Sequence, residues 1–140
     1  MHLGHFLDFK SEPSMVLLGC TSRELVSLAD RLRSLSTDEA INLSEHFDVR
    51  SVDDIAPQIR FGSQDRIARR GGAGFVWELT RDALAEAVDK VDELSRTDGG
   101  GHQYFSESCA DDAVIMISIG EYDSTWWSRA STQARNREPK

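Results

Sequence analysis

The sequence predicts an α+β fold, a mostly antiparallel sheet carrying two amphipathic helices on one face. Two segments repeat apolar residues at helical spacing. Short runs rich in β-branched and aromatic residues flank them, and glycine clusters punctuate the chain between elements.

In chain order, residues 3–9 give a first short strand, and 15–20 give a second with a continuous apolar run. The first helix follows at once. Leu25, Leu28, Ala29, Leu32 and Leu35 recur at helical spacing, and Thr21 with Glu24 forms a capping-box pattern that satisfies orphan amides of the first turn. Ile41, Leu43 and Phe47 then alternate with Asn42, Ser44 and His46, the pattern of a strand with one wet face. Residues 59–61 and 75–79 are further strands. The second helix presents Leu84, Ala87, Val88, Val91 and Leu94 on one face, with Thr80 as its N-cap and Glu86–Lys90 as an i,i+4 pair. Residues 103–105 and 113–119 close the strand set, the latter ending at Gly120.

A 59-residue offset superposes Thr21 on Thr80, Leu25 on Leu84, Asp30 on Asp89 and Leu35 on Leu94. The fold therefore carries a candidate duplication of a β-α-β-β unit. Residues 15–18 and 114–117 are apolar on both strand faces, so both should be buried. Two helices cover only one sheet face. The other requires the remaining chain or a second protein molecule, and Trp126 and Trp127 are the candidates for that cover. Residues 1–127 read as a single α+β domain. Residues 128–140, polar and without apolar periodicity, read as a disordered tail.

The 140 residues are 39% hydrophobic and 29% charged, with a formal net charge of −8. Such a surface repels nucleic-acid phosphates and anionic membranes and favours a basic protein partner. The one basic island is Arg60, Arg66, Arg69 and Arg70, beside Gly71, Gly72 and Gly74. The start of the chain lacks a long apolar signal-peptide run, and Ala113–Ile119 is too short to cross a bilayer, so the cytoplasm is the expected location.

Most catalytic chemistries find no pattern. The glycines of 71–74 precede a strand and those of 99–101 follow a helix, so neither is a phosphate loop opening a helix. His2 and His5, with Glu45, His46 and His102 elsewhere, do not make a metal-ligand spacing. On a strand, Glu45 and His46 would point to opposite faces. No metal or cofactor is implied. Two cysteines form no disulfide framework. Cys20 reads as a buried thiol, and Cys109 lies among carboxylates that disfavour a thiolate. One acid–base constellation is available: His102 and Tyr104 come after a glycine turn, and Glu121 and Tyr122 after the most apolar strand. If those strands pair antiparallel, the four side chains meet at one end of the sheet.

The reading reached by elimination is a non-catalytic protein-binding module, such as an inhibitor, an immunity-type protein or a regulatory subunit. Its binding surface would be the acidic outer face of the second helix (Asp82, Glu86, Asp89, Asp92, Glu93) together with Trp126 and Trp127. The partner would be a protein, basic in character, and a homodimer is an option through the uncovered sheet face. The alternative is a small-ligand-binding or acid–base enzymatic domain built on His102, Tyr104, Glu121 and Tyr122. A third reading, RNA association through the arginine island, is opposed by the net charge.

Overall fold

The structure is a computed structural model that describes residues 1–6, 14–36, 39–52, 56–70, 74–105 and 113–137. In chain order the elements are β1 (His2–Phe6), β2 (Ser14–Cys20), α1 (Ser22–Arg33), β3 (Ala40–Asn42), α2 (Leu43–His46), β4 (Arg50–Ser51) and β5 (Ala56–Phe61). They continue with β6 (Arg66–Arg70), β7 (Gly74–Leu79), α3 (Arg81–Ser95), β8 (Gly101–Phe105), β9 (Ala113–Ile119) and α4 (Ser124–Arg137).

Helices α1 and α3 begin where their caps place them. The Thr21 hydroxyl accepts from Glu24 N at 3.2 Å while Thr21 N donates to the Glu24 carboxylate at 2.9 Å, a complete capping box. Thr80 accepts from Ala83 N at 3.2 Å. Leu25, Leu28, Ala29 and Leu32 of α1 and Ala87, Val88, Val91 and Leu94 of α3 are buried, and the two helices pack against each other.

The α+β content is as expected, but the strands divide between two sheets instead of one. Their orders are β4-β1-β2-β9-β8 and β3-β5-β7-β6. The pairings β2–β9, β5–β7 and β1–β4 are parallel, whereas β1–β2, β8–β9, β3–β5 and β6–β7 are antiparallel. In the first sheet the β1–β2 pair abuts β9–β8. In the second, β6–β7 abuts β5–β3. The segments β1-β2-α1-β3-β5 and β6-β7-α3-β8-β9 thus hold equivalent topological places, and each sheet is assembled from both halves of the chain. Parallel neighbours cannot be joined by a tight turn, so no local pattern announces which distant strand will sit alongside.

One apolar cluster joins the inner faces of both sheets to α1 and α3: Leu3, Leu18 and Ile117 from the first sheet, and Ile59, Trp77 and Leu79 from the second. A second, smaller cluster lies on the opposite face of the first sheet, where Met116 and Trp127 are buried and Val52, Tyr122 and Trp126 pack around them. Met116 alternates along β9 with Ile115 and Ile117 of the main cluster, so the run is buried on both faces as its composition requires. The cover for the second face is α4.

Two local expectations are corrected. Residues 128–137 are helical, and Ala130 is buried, so the structured chain runs past Trp127 instead of ending in a tail there. One apolar flank suffices for a helix docked on a sheet, and polar composition concealed it. The strand read through residue 47 stops at Asn42 and becomes the single turn α2, a distinction that periodicity cannot draw over so few residues. Of the arginine island, Arg66, Arg69 and Arg70 stand on the edge strand β6.

Candidate functional site

The outer face of the first sheet gathers the polar chemistry. Strand registers align Arg50 with His2, His2 with Gly19, Gly19 with Ser118, and Ser118 with His102. Directly opposed residues share a face, so one row crosses all five strands and faces α4. In the middle of this row Gly19 has no side chain, and Trp127 occupies the space, its ring stacked on His2 with centroids 5.1 Å apart. Asp123 starts the helix that delivers it. Its carboxylate accepts from Trp126 N at 2.8 Å and its carbonyl from Trp127 N at 3.1 Å.

At the β8 end of the row the four acid–base candidates do converge. Because β8 and β9 pair antiparallel, the turns at residues 99–100 and 120 meet. Both Gly99 (φ 80°) and Gly120 (φ 70°) take left-handed backbone there. Glu121 follows, and His102 Nδ1–H donates to its Oε1 at 2.7 Å, since a carboxylate can only accept. Tyr104 meets His102 edge to face at 5.3 Å. Tyr122 contacts Trp126 at 4.5 Å, and Trp126 contacts Trp127 at 5.0 Å. Burial, then the neighbouring Glu121 and Tyr104, raise the Tyr122 phenol above its ordinary pKa.

The arrangement is open. The His102 and Glu121 side chains are 40% and 30% exposed, and Tyr104 is 36% exposed. Water competes freely for a dyad in that position, and general acid–base catalysis gains most where water is excluded. What the patch offers is aromatic area with a carboxylate and an imidazole among it.

The acidic helix face and the tryptophans, expected to form one surface, do not. α3 packs into the main cluster on one side of the first sheet, and Trp127 lies on the other. Trp127 is 3% exposed and Trp126 is half-buried, so the first is structural cover. The acidic row is also partly neutralised. Asp92 pairs with Arg33 of α1, and Glu86 pairs with Lys90 at 3.5 Å, leaving Asp82, Asp89 and Glu93 exposed. Lys90 also donates to the Tyr104 carbonyl at 2.8 Å, which covers part of the β8 edge.

The other candidates are scattered. Arg66 lies 3.9 Å from Glu78 on the neighbouring strand. Glu45 and His46 share α2 and are exposed. Cys20 is buried and its thiol is pushed up to about 12 by burial, while Cys109 lies outside the described residues. Among the described residues no three His, Cys, Asp or Glu side chains converge as metal ligands, and no helix is long and apolar enough to cross a membrane. The chain matches no protein-family model, no curated protein and no solved structure.

Proposed function

We propose that this chain is a non-catalytic protein-binding module whose contact surface is the patch of His102, Tyr104, Glu121, Tyr122 and Trp126. The observation that carries this reading is the clustering of Tyr, Trp and His side chains around an accessible carboxylate on an open face. Interface anchors are enriched in Tyr and Trp, and an open patch suits a macromolecular surface better than a small substrate, which needs enclosure. The net charge of −8 and the exposed Asp82, Asp89 and Glu93 favour encounter with a basic partner. A homodimer is no longer needed to cover the second sheet face, because α4 lies there.

The test is capture of partners from the native cell lysate by three forms of the tagged chain. These are the wild type, a Tyr104→Ala/Glu121→Arg variant and an Asp82→Lys/Asp89→Lys variant. The expected result is one stoichiometric partner that survives the helix change and is lost with the patch change, since an interface anchor contributes about 2 kcal/mol or more. Loss with the helix variant alone would move the surface to α3. Absence of any stoichiometric partner would sink the reading.

One observation favours a second reading. The 2.7 Å His102–Glu121 bond is the geometry that an acid–base or ligand-binding site would use. It would be supported by a small molecule that raises the melting temperature of the wild type but not of His102→Ala.

A further inference from the structure

Beside the patch, on the same face, a cleft of about 480 Å³ runs along the other part of the polar row. That volume lies within the range of small-molecule sites. Trp127 and Tyr122 wall it on the α4 side, Arg50 and His2 lie along the row, and Arg23 enters from the first turn of α1.

Two features of this cleft have no structural explanation in the fold. The first is Ser118, which is 1% exposed and lines the cleft from the middle of the apolar strand β9. Among the described residues its hydroxyl makes one long bond, 3.4 Å to the Leu18 carbonyl. A buried hydroxyl so poorly matched costs stability compared with alanine or valine at the same place, unless something else completes its hydrogen bonding.

The second is charge. Neither Arg23 nor Arg50 is in an ion pair among the described residues, although the chain carries eight more negative than positive charges. Two carboxylates also line the cleft, but Glu24 is already engaged by Thr21 N at 2.9 Å and by the Met1 amine at 2.5 Å. Among the described residues that leaves two guanidiniums against the carboxylate of Asp48. The α1 N-terminus adds partial positive charge on the same side.

We propose that this cleft binds a small organic anion. Its carboxylate or phosphate is held by Arg23 and Arg50, its apolar or aromatic body lies against Trp127 and Tyr122, and a polar substituent meets the Ser118 hydroxyl. Guanidiniums suit such anions because their paired N–H groups match two anion oxygens at once. His2 stays neutral more readily than an ordinary histidine, because burial and then the neighbouring cations oppose its protonation, so the ring serves as a flat surface. Tyr122 borders both the cleft and the open patch, but the inference rests on Arg23, Arg50 and Ser118, which are not part of the protein-binding patch.

Phenyl phosphate, inorganic phosphate and benzyl alcohol are suitable probes, titrated into the full chain at low ionic strength while amide and indole NMR resonances are followed. The expected result is saturable shifts at Gly19, Ser118 and the Trp127 indole with phenyl phosphate. Arg23→Gln and Arg50→Gln should each weaken that binding, together by roughly tenfold or more. Ser118→Ala should weaken binding of a hydroxylated analogue, 4-hydroxyphenyl phosphate, more than that of phenyl phosphate. Both arginines are exposed, so the charge variants should keep the wild-type melting temperature, which is the control for folding. No saturable shift up to ~20 mM phenyl phosphate would overturn the proposal, as would unchanged binding in the double arginine variant. Inorganic phosphate binding as tightly as phenyl phosphate would reduce the site to an adventitious ion only and overturn it equally.

Discussion

Trp127 and Gly19 are fitted to each other: a Cβ added to Gly19 would stand 2.9 Å from Trp127 Cζ2. Glycine weakens a strand interior, and its presence in β2 is explained by the close approach of this ring. Gly19→Ala should therefore destabilise the fold by about 1–3 kcal/mol, through forced movement of a buried indole. Trp127→Ala should cost more, about 3–5 kcal/mol, because it uncovers Met116 and empties the second cluster. Urea unfolding of the two single variants and the double variant would show non-additivity, since Gly19→Ala has nothing to displace once the ring is gone. Simple additivity would mean that the two residues do not press on each other.

Gly99 and Gly120 offer a contrast between two glycines with similar backbone. At Gly120 a Cβ would lie 2.8 Å from the Gly99 carbonyl oxygen, whereas at Gly99 nothing lies within 4 Å. Gly99→Ala should cost about 1 kcal/mol, the left-handed backbone penalty alone. Gly120→Ala adds a backbone collision and should cost about 2–4 kcal/mol, and it should displace Glu121 from His102. Equal losses in thermal unfolding would show that the contact between the turns contributes nothing.

How much of this was legible in the sequence depends on the distance over which each signal acts. Thr21 with Glu24, Thr80 and the stripes of α1 and α3 are local patterns, and the structure places them as read, except that α1 ends at Arg33 before Leu35 and Leu84 is only partly buried. The meeting of His102 with Glu121 was conditional on an antiparallel β8–β9 pair, which a short connection favours and which forms. The partition into two sheets was not legible, because β2–β9 and β5–β7 join strands from different halves of the chain. The polar row from Arg50 to His102 was missed for the same reason, since it exists only once four registers are set. One trace of it was available: Ser118 interrupts an otherwise apolar run at a position with the same parity as Met116. α4 was missed because its buried flank over residues 127–130 is too short to establish a period.

Cys20 gives a chemical readout of the core beneath the cleft. Burial first, with Glu24 adding to it, pushes its thiol up to about 12, so almost no thiolate exists near neutral pH. In a Cys109→Ser background the native protein should react with a thiol-disulfide reagent only as fast as it unfolds. Denaturant should restore the ordinary rate of a free cysteine. A fast native reaction independent of denaturant would place the thiol in an open environment and contradict its burial.

His2 predicts how stability responds to mild acid. Burial lowers its pKa, with the Met1 amine and Arg50 acting in the same direction and Glu24 against them. The unfolded chain therefore takes up the His2 proton at a higher pH than the folded chain does. Above pH ~6.5 the ring is neutral in both states and contributes no pH dependence. As pH falls below ~6.5 the unfolded state gains the proton first, so stability declines until pH passes below the folded-state value, where the loss levels off. His2→Gln removes that group, and its stability should fall less than that of the wild type between about pH 7 and 5, a range above the ordinary carboxylate pKa values. Urea midpoints measured for both proteins across this range give the comparison directly. Parallel curves would mean that protonated His2 is accommodated under Trp127 without cost, and the stacked ring would then be no barrier to charge on that face.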